Sequence, residues 1–205
     1  MKKILSIWFL VLFLTTSAYG NVDCFLKKLK SVKTLTLVFS QETKIPVAGD
    51  EVDLYVGVIY YEKPSKFRWE YTKGSDIFVV SDGKFIETVF PSDKQCQVAE
   101  LDSKSELFPL FQILDSPDKF GELFEVLNDE RDGKLEVLEL KPKYKDSIFE
   151  KIVLFIGKNC KLKAFKTVQL DGTSSTYIVK EFRENLRVSE DLFKLIPCFQ
   201  GFLKQ

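Results

Sequence analysis

The feature that most constrains this chain is an alternation of apolar and polar residues with a period of two, repeated in one segment after another. In the clearest segment, Phe67, Trp69 and Tyr71 alternate with charged or hydroxyl-bearing residues. An earlier segment, Leu35 to Phe39, shows a similar alternation. Because successive side chains of a strand point to opposite faces, each segment predicts a β-strand with one buried face. The chain must therefore build a sheet and cover its apolar side.

Turn residues separate these segments at short intervals. Lys73-Gly74, Ser81-Asp82-Gly83 and Asp171-Gly172 are typical of tight turns, since glycine readily adopts positive φ. After the first strand, one series of strands runs from Val52 to Leu101 and another from Phe124 to Phe182. We predict about eleven strands in hairpin order, forming one antiparallel sheet that curls or closes to bury its apolar face.

Two regions change to the period of an α-helix. From Val22 to Val32 the apolar residues fall on one stripe, with lysines between them. Between Glu106 and Leu127 the period lengthens again, and Pro117 divides this region into two short helices. Their apolar faces are too small to fill the space beneath the sheet. We therefore expect a residual cavity, although the pattern alone also fits a closed barrel or sandwich with a packed core.

Residues 1–20 have the pattern of an export signal. Lys2 and Lys3 precede an apolar run from Ile4 to Leu14, and a small-residue cleavage site follows at Ala18-Tyr19-Gly20. The run is shorter than the roughly 20 residues that a spanning helix needs. We therefore expect a signal peptide over 1–20 and one exported domain over 21–205. Asn21 stands where a lipid anchor would require cysteine, so we expect no anchor.

The four cysteines, at positions 24, 96, 160 and 198, all lie in the part expected to be exported, where disulfides form and persist. The sequence leaves open which of them pair. No two form a C-x-x-C motif, so we expect neither a zinc site nor a redox site.

The chain has no histidine, which removes the usual general base and the commonest metal ligand. Carboxylates are scattered, and the densest run, Asn128 to Gly133, is interpreted as a solvated turn. Basic and acidic residues balance at 30 each, which argues against nucleic acid as a partner. We expect no catalytic residues, no metal and no cofactor.

The stretch from Gly57 to Trp69, a glycine-bearing strand followed by Lys63-Pro64 and a Phe-x-Trp strand, resembles the signature of the LolA family. Further similar pieces follow the family's order over roughly residues 29–197. They are Phe39-Ser40-Gln41, Ile77 to Lys84, Leu107 to Phe111, Leu140 to Lys143 and Asp171-Gly172.

This resemblance implies a mainly β (α+β) fold, in which a single curled antiparallel sheet forms an open, incomplete barrel covered by an N-terminal helix and short internal helices. It also implies a periplasmic carrier that holds the acyl chains of lipoproteins in an apolar cavity and takes them from the inner to the outer membrane. The expected partners are acylated lipoproteins, the inner-membrane lipoprotein-releasing ABC transporter, and the outer-membrane acceptor LolB or an equivalent. We expect a monomer.

Position-by-position matching to the family implies which residues line or close the cavity. The expected lipid-binding residues are Leu29, Phe39, Ile59, Phe67, Trp69, Leu110, Phe111, Ile113 and Leu114. For each of them, plain core packing is the alternative. The family usually has arginine before the proline, where it holds the lid closed, and here that position is Lys63, a point charge in place of a planar fork of donors. We expect Lys63 at the lid latch, although the substitution puts the latch in doubt.

Other interpretations remain open from sequence. A lipid- or lipoprotein-binding sensor of the RseB type resembles the same design but carries a further domain, and LolB carries a lipid anchor. A lipid hydrolase is the weakest alternative, because without histidine it needs an unusual Ser-Lys or carboxylate site. The apolar segment from Leu192 to Leu203 is expected to dock as a final strand or to serve as a partner surface.

Overall fold

The computed structural model describes residues 20–49, 51–101, 108–144 and 147–196. Within these residues the strands are β1 (Thr34–Lys44), β2 (Val52–Glu62), β3 (Lys66–Lys73), β4 (Phe78–Asp82), β5 (Phe85–Phe90), β6 (Gln95–Glu100), β7 (Phe124–Asp132), β8 (Leu135–Pro142), β9 (Phe149–Gly157), β10 (Leu162–Gln169) and β11 (Ser174–Glu184). The helices are α1 (Gly20–Ser31), α2 (Pro109–Asp115) and α3 (Phe120–Leu123). Short 3-10 turns occupy Pro46–Ala48, Pro117–Lys119 and Glu190–Phe193.

All the strands join one antiparallel sheet in the order β6-β5-β4-β3-β2-β1-β11-β10-β9-β8-β7. Neighbours in the sheet are also neighbours along the chain, except where β1 pairs with β11. The edge strands β6 and β7 do not pair with each other, so the sheet stays open. The predicted fold, a single open antiparallel sheet with a few covering helices, is confirmed.

The alternation in the sequence decides which side chains the sheet buries. On β1, Leu35, Leu37 and Phe39 face the helices, and they lie opposite Tyr61, Ile59 and Gly57 of β2. We call this helix-covered side the inner face and the other side the outer face.

The apolar stripe of α1 covers one end of the inner face. Val22, Phe25, Leu29 and Val32 are all buried in one cluster with the inner-face residues of β1 and β2, as the helical spacing predicts. A disulfide joins Cys24 of α1 to Cys160 in the β9–β10 turn. Cys96 is also disulfide-bonded.

The run from Asn128 to Gly133 is not a solvated turn, as the sequence had suggested. β7 continues to Asp132, paired with β8, and the chain turns at Gly133, which has a φ of 59°. A strand at the edge of a sheet forms its ladder through backbone groups, so its side chains can be polar and exposed. Residue type alone therefore could not separate this strand from a turn.

Both ends of the sequence include segments that the structure does not describe. The expected signal peptide lies outside the described residues except for Gly20, which begins α1. Within the described part of the chain, no helix is both long and apolar enough to span a membrane.

The expected docking segment from Leu192 to Leu203 is described only as far as Ile196, and this part forms no strand. Phe193 is buried, and its 3-10 turn packs against β3 and β4. The Ile196 N–H donates to Oε2 of Glu87 at 2.9 Å, and burial raises the pKa of that carboxyl. Because Glu87 pairs with Val80 on the outer face, the C-terminal segment docks there.

Candidate functional site

A cleft of about 490 Å³ remains open on the inner face, beside the packed cluster. This volume lies within the range of about 300 to 1,000 Å³ that is usual for ligand pockets. The apolar and aromatic residues among its described lining are Phe67, Trp69, Ile77, Val79, Ile86, Phe108, Phe111 and Tyr177. The lining residues that carry hydrogen-bonding groups are Gln41, Thr43, Tyr55, Tyr71, Ser75, Thr88, Gln169, Thr173 and Ser175.

Aromatic side chains of α2 and of its N-cap residue contact aromatic side chains of the sheet in the wall of the cleft. Phe111 stacks on Phe67 with ring centroids 4.0 Å apart. Phe108, at the N-cap of α2, contacts Trp69 edge-on at 5.0 Å and Tyr177 at 5.7 Å. Such contacts add to the burial of apolar area. The short helix α2 therefore covers this part of the sheet.

The expected lipid-binding residues fall into two groups. Phe67, Trp69 and Phe111 belong to the packed cluster and also line the cleft. The others lie in the packed cluster, each at most 4 % exposed, and they are Leu29, Phe39, Ile59, Leu110, Ile113 and Leu114. The sequence identified the inner face but could not divide it between cleft and core. A role of these residues in lipid binding stays a prediction.

The end of α2 is fastened to the β2–β3 turn by a carboxylate. Asp115 Oδ1 accepts hydrogen bonds from the Tyr61 hydroxyl at 2.5 Å and from the Ser65 backbone N–H at 2.9 Å, while Oδ2 accepts from Ser65 Oγ at 2.6 Å. Burial raises the pKa of Tyr61 most strongly, and the nearby negative charge of Asp115 raises it further. We call Asp115, Tyr61 and Ser65 the latch.

Lys63 lies in the same turn as Ser65 but takes no part in these contacts. Among the described residues its ammonium group forms no hydrogen bond or ion pair, and its backbone N–H donates to the carbonyl of Lys33 at 2.8 Å. A latching role of Lys63 stays a prediction. In this conformation the carboxylate at the end of α2 is bonded by Tyr61 and Ser65.

A chain of hydrogen bonds joins four of the polar side chains that line the cleft. The Tyr71 hydroxyl donates to Gln41 Oε1 at 2.9 Å, and Gln41 Nε2 donates to Thr43 Oγ1 at 2.8 Å. The Thr43 and Ser175 hydroxyls lie 2.8 Å apart. We call these four residues the polar band.

Neither the latch nor the polar band was predicted from the sequence. One signal for the band was present, because a period of two places Gln41 on the same face as Phe39. No comparable signal pairs Asp115 with Ser65, since their meeting depends on where α2 lies over the sheet. Within the described ranges, no group of three or more Cys, Asp or Glu residues could hold a metal ion.

An open sheet with an apolar cleft beneath a short helix has the geometry of a protein that binds an apolar ligand. The chain belongs to the family of the outer membrane lipoprotein carrier protein LolA, whose model matches residues 30–196. The resemblance seen in the sequence is thus confirmed. The family is one of carriers, which favours the carrier prediction over the sensor and the enzyme.

Relatives of known name agree with this family. The chain is 24% identical over 189 residues to the outer-membrane lipoprotein carrier protein of Nitrosospira multiformis, covering 92% of this chain and 90% of the relative. It is 30% identical over 126 residues to the protein of the same name from Azotobacter vinelandii, covering 62% of this chain and 60% of the relative.

Solved structures of low sequence identity share the fold. An uncharacterized conserved protein from Thermus thermophilus superposes with a TM-score of 0.52 at 13% identity, over 88% of this chain and 95% of that one. A DUF1329 family protein from Desulfovibrio piger gives 0.51 at 12% identity, over 85% and 96%. At this identity the likeness shows the architecture alone.

Proposed function

We propose that this protein is a periplasmic carrier that takes up lipoproteins by their acyl chains at the inner membrane and delivers them to the outer membrane. The observation that carries the proposal is the apolar cleft beneath α2, which is lined by Phe67, Trp69 and Phe111. In this proposal the inner-membrane ABC transporter loads the cargo, and LolB or an equivalent acceptor receives it. The carrier acts as a monomer.

The physical need for such a cleft follows from the cargo. Each methylene that leaves a membrane for water costs about 0.8 kcal/mol, so an acylated protein needs a carrier to cross an aqueous space. The cleft offers aromatic walls in place of lipid. Its lid is one short helix, α2, held by stacking and by the latch, so that binding and release can exchange lid contacts for lipid contacts.

The test is capture of a diacylated lipoprotein by the purified protein when the cargo is diluted out of detergent micelles, scored by co-elution, so that no loading transporter is needed. The control cargo is the same lipoprotein with its acylated cysteine replaced by serine. We expect capture of the acylated form only. Equal capture of both cargoes, or of neither, contradicts the proposal.

A pair of variants ties capture to the cleft. Ile86→Glu places a charge on the cleft wall, where it costs far more than in water, and should abolish capture. Ile178→Glu places the same charge on the outer face at a residue that is 40% exposed, and should leave capture unchanged. Phe67→Glu should also abolish capture. Because Phe67 is only 2% exposed, circular dichroism must first show that the variant is folded.

A further inference from the structure

The polar band is a hydrogen-bonded cluster inside a cleft that is also lined by large apolar side chains such as Phe67, Trp69 and Phe111. Gln41 and Ser175 are each 6% exposed and Thr43 is 9% exposed. Burying polar groups is costly unless they are bonded, so the band needs its internal hydrogen bonds to offset a desolvation cost that an apolar lining would not incur. A cleft that received hydrocarbon alone would gain nothing from it.

The band has more donors than it uses internally. The Gln41 amide carries two hydrogens and each of the three hydroxyls carries one, whereas the bonds within the band use three of them. Burial raises the pKa of Tyr71 to about 12, so its hydroxyl stays protonated and donates at neutral pH. One amide hydrogen of Gln41 therefore remains for another partner, whereas the remaining hydroxyl hydrogen at the Thr43–Ser175 end can bond either the Tyr177 hydroxyl or a ligand.

The described lining of the cleft also offers no oppositely charged partner to a charged ligand. None of the described residues that line it is charged. A carboxylate or phosphate drawn into the cleft would lose its water without gaining an ion pair, which is strongly unfavourable. The ligand group that fits is therefore neutral and rich in acceptors.

We propose that the polar band binds the neutral ester or amide carbonyls that join acyl chains to their head group, while the chains themselves lie against Trp69 and Phe111. This inference rests on the proposed carrier function and narrows its ligand class. It selects acyl esters and amides over free fatty acids and phosphorylated lipids. The Gln41 amide and the Thr43 and Ser175 hydroxyls are the donors.

The test compares three lipids of equal chain length on the unaltered protein, by displacement of the fluorescent hydrocarbon diphenylhexatriene. Dioctanoylglycerol is a neutral diester, dioctylglycerol is its ether analogue without carbonyls, and dioctanoyl phosphatidic acid adds a phosphate. We expect the neutral diester to bind about ten-fold more tightly than either of the others, as hydrogen bonds of ordinary strength allow. Equal affinity for diester and diether overturns the inference.

Two variants test whether the polar band is what gives the preference for the diester. Gln41→Leu combined with Thr43→Val removes donors while keeping side-chain bulk, and should abolish the preference for the diester while diphenylhexatriene still binds. Thr36→Val, on the outer face of the same strand, should leave the preference unchanged. A preference that persists in the double variant overturns the inference. Binding of all three lipids without preference refutes the band alone, whereas failure to bind any acylated probe refutes the carrier function as well.

Discussion

The inner face depends on individual residues that leave room for their neighbours, and the clearest case is Gly57 opposite Phe39. A Cβ atom placed on Gly57 would lie 2.5 Å from Phe39 Cζ and 2.7 Å from the carbonyl oxygen of Glu70. The absence of a side chain lets the Phe39 ring lie across β2. There it contacts Trp69 edge-on with centroids 5.2 Å apart. Gly57 therefore supports the aromatic wall of the cleft without lining it.

Gly57→Ala should destabilise the protein by about 1 to 3 kcal/mol, the usual cost of forcing an extra methyl group into a packed core. The measurement is urea unfolding at neutral pH. Gly121→Ala in α3 is the matched control, since a Cβ there meets nothing within 4 Å. This control variant should leave the free energy of unfolding unchanged or raise it slightly, because alanine forms helices better than glycine does. Similar losses in both variants would contradict the steric explanation.

The sequence predicted which side of each strand is buried, because alternation alone determines it. It could not predict which of the buried residues line the cleft. Phe39 and Phe67 both lie at apolar positions of alternating strands and both are packed in the cluster, yet only Phe67 also lines the cleft. The difference depends on where α2 lies over the sheet, and α2 has no local pattern that specifies its position.

Among the elements, α2 owes its position to tertiary contacts. It spans Pro109–Asp115 and has no side-chain hydrogen bond at its N-cap. A helix this short is unstable alone. Stacking of Phe111 on Phe67 holds it over the sheet, and the latch holds its last residue.

Asp115→Ala should loosen α2, because it removes all three latch bonds and leaves the Tyr61 hydroxyl without this acceptor. We expect diphenylhexatriene to enter the cleft about ten-fold faster, which corresponds to about 1.4 kcal/mol. Stopped-flow fluorescence measures the entry rate. Asp115→Asn keeps acceptor capacity and should give a smaller change.

Ser116→Ala, at the next position, is the control for this experiment. Within the described residues the Ser116 side chain forms no hydrogen bond, so the entry rate should not change. A separate variant, Lys63→Ala, tests the alternative latch. If Lys63→Ala speeds entry and Asp115→Ala does not, the position before the proline holds the lid and the carboxylate latch is refuted.

The element boundaries show what a sequence pattern can and cannot give. The stripe from Val22 to Val32 predicted α1 closely, because that helix buries one continuous apolar face. β7 was predicted too short, since its second half exposes most of its side chains and is defined only by pairing with β8. An apolar–polar pattern in the sequence reflects which side chains are buried. An exposed edge strand buries few side chains, so its sequence lacks a clear pattern.

Across the whole molecule, the helices on the inner face are held with unequal strength. α1 is joined to the β9–β10 turn by the Cys24–Cys160 disulfide, which links residues 136 positions apart. Lys28 of α1 also bonds Glu184 at the end of β11, at 2.8 Å. By contrast, α2 contains no cysteine, and it is held by the burial of Leu110, Ile113 and Leu114, by aromatic stacking and by the latch. Ligand entry should therefore move α2 and leave α1 in place.

Hydrogen exchange measured by mass spectrometry tests this division of roles. On binding dioctanoylglycerol, exchange should change in the peptide covering α2 and stay unchanged in the peptide covering α1. Replacing both Cys24 and Cys160 by serine should lower the free energy of unfolding by about 3 to 5 kcal/mol, because closing so long a loop constrains the unfolded chain. It should also make α1 respond to the ligand. If hydrogen exchange in α1 of the disulfide-bonded protein changed as much as in α2, both helices would move together. The disulfide would then not be what keeps α1 in place.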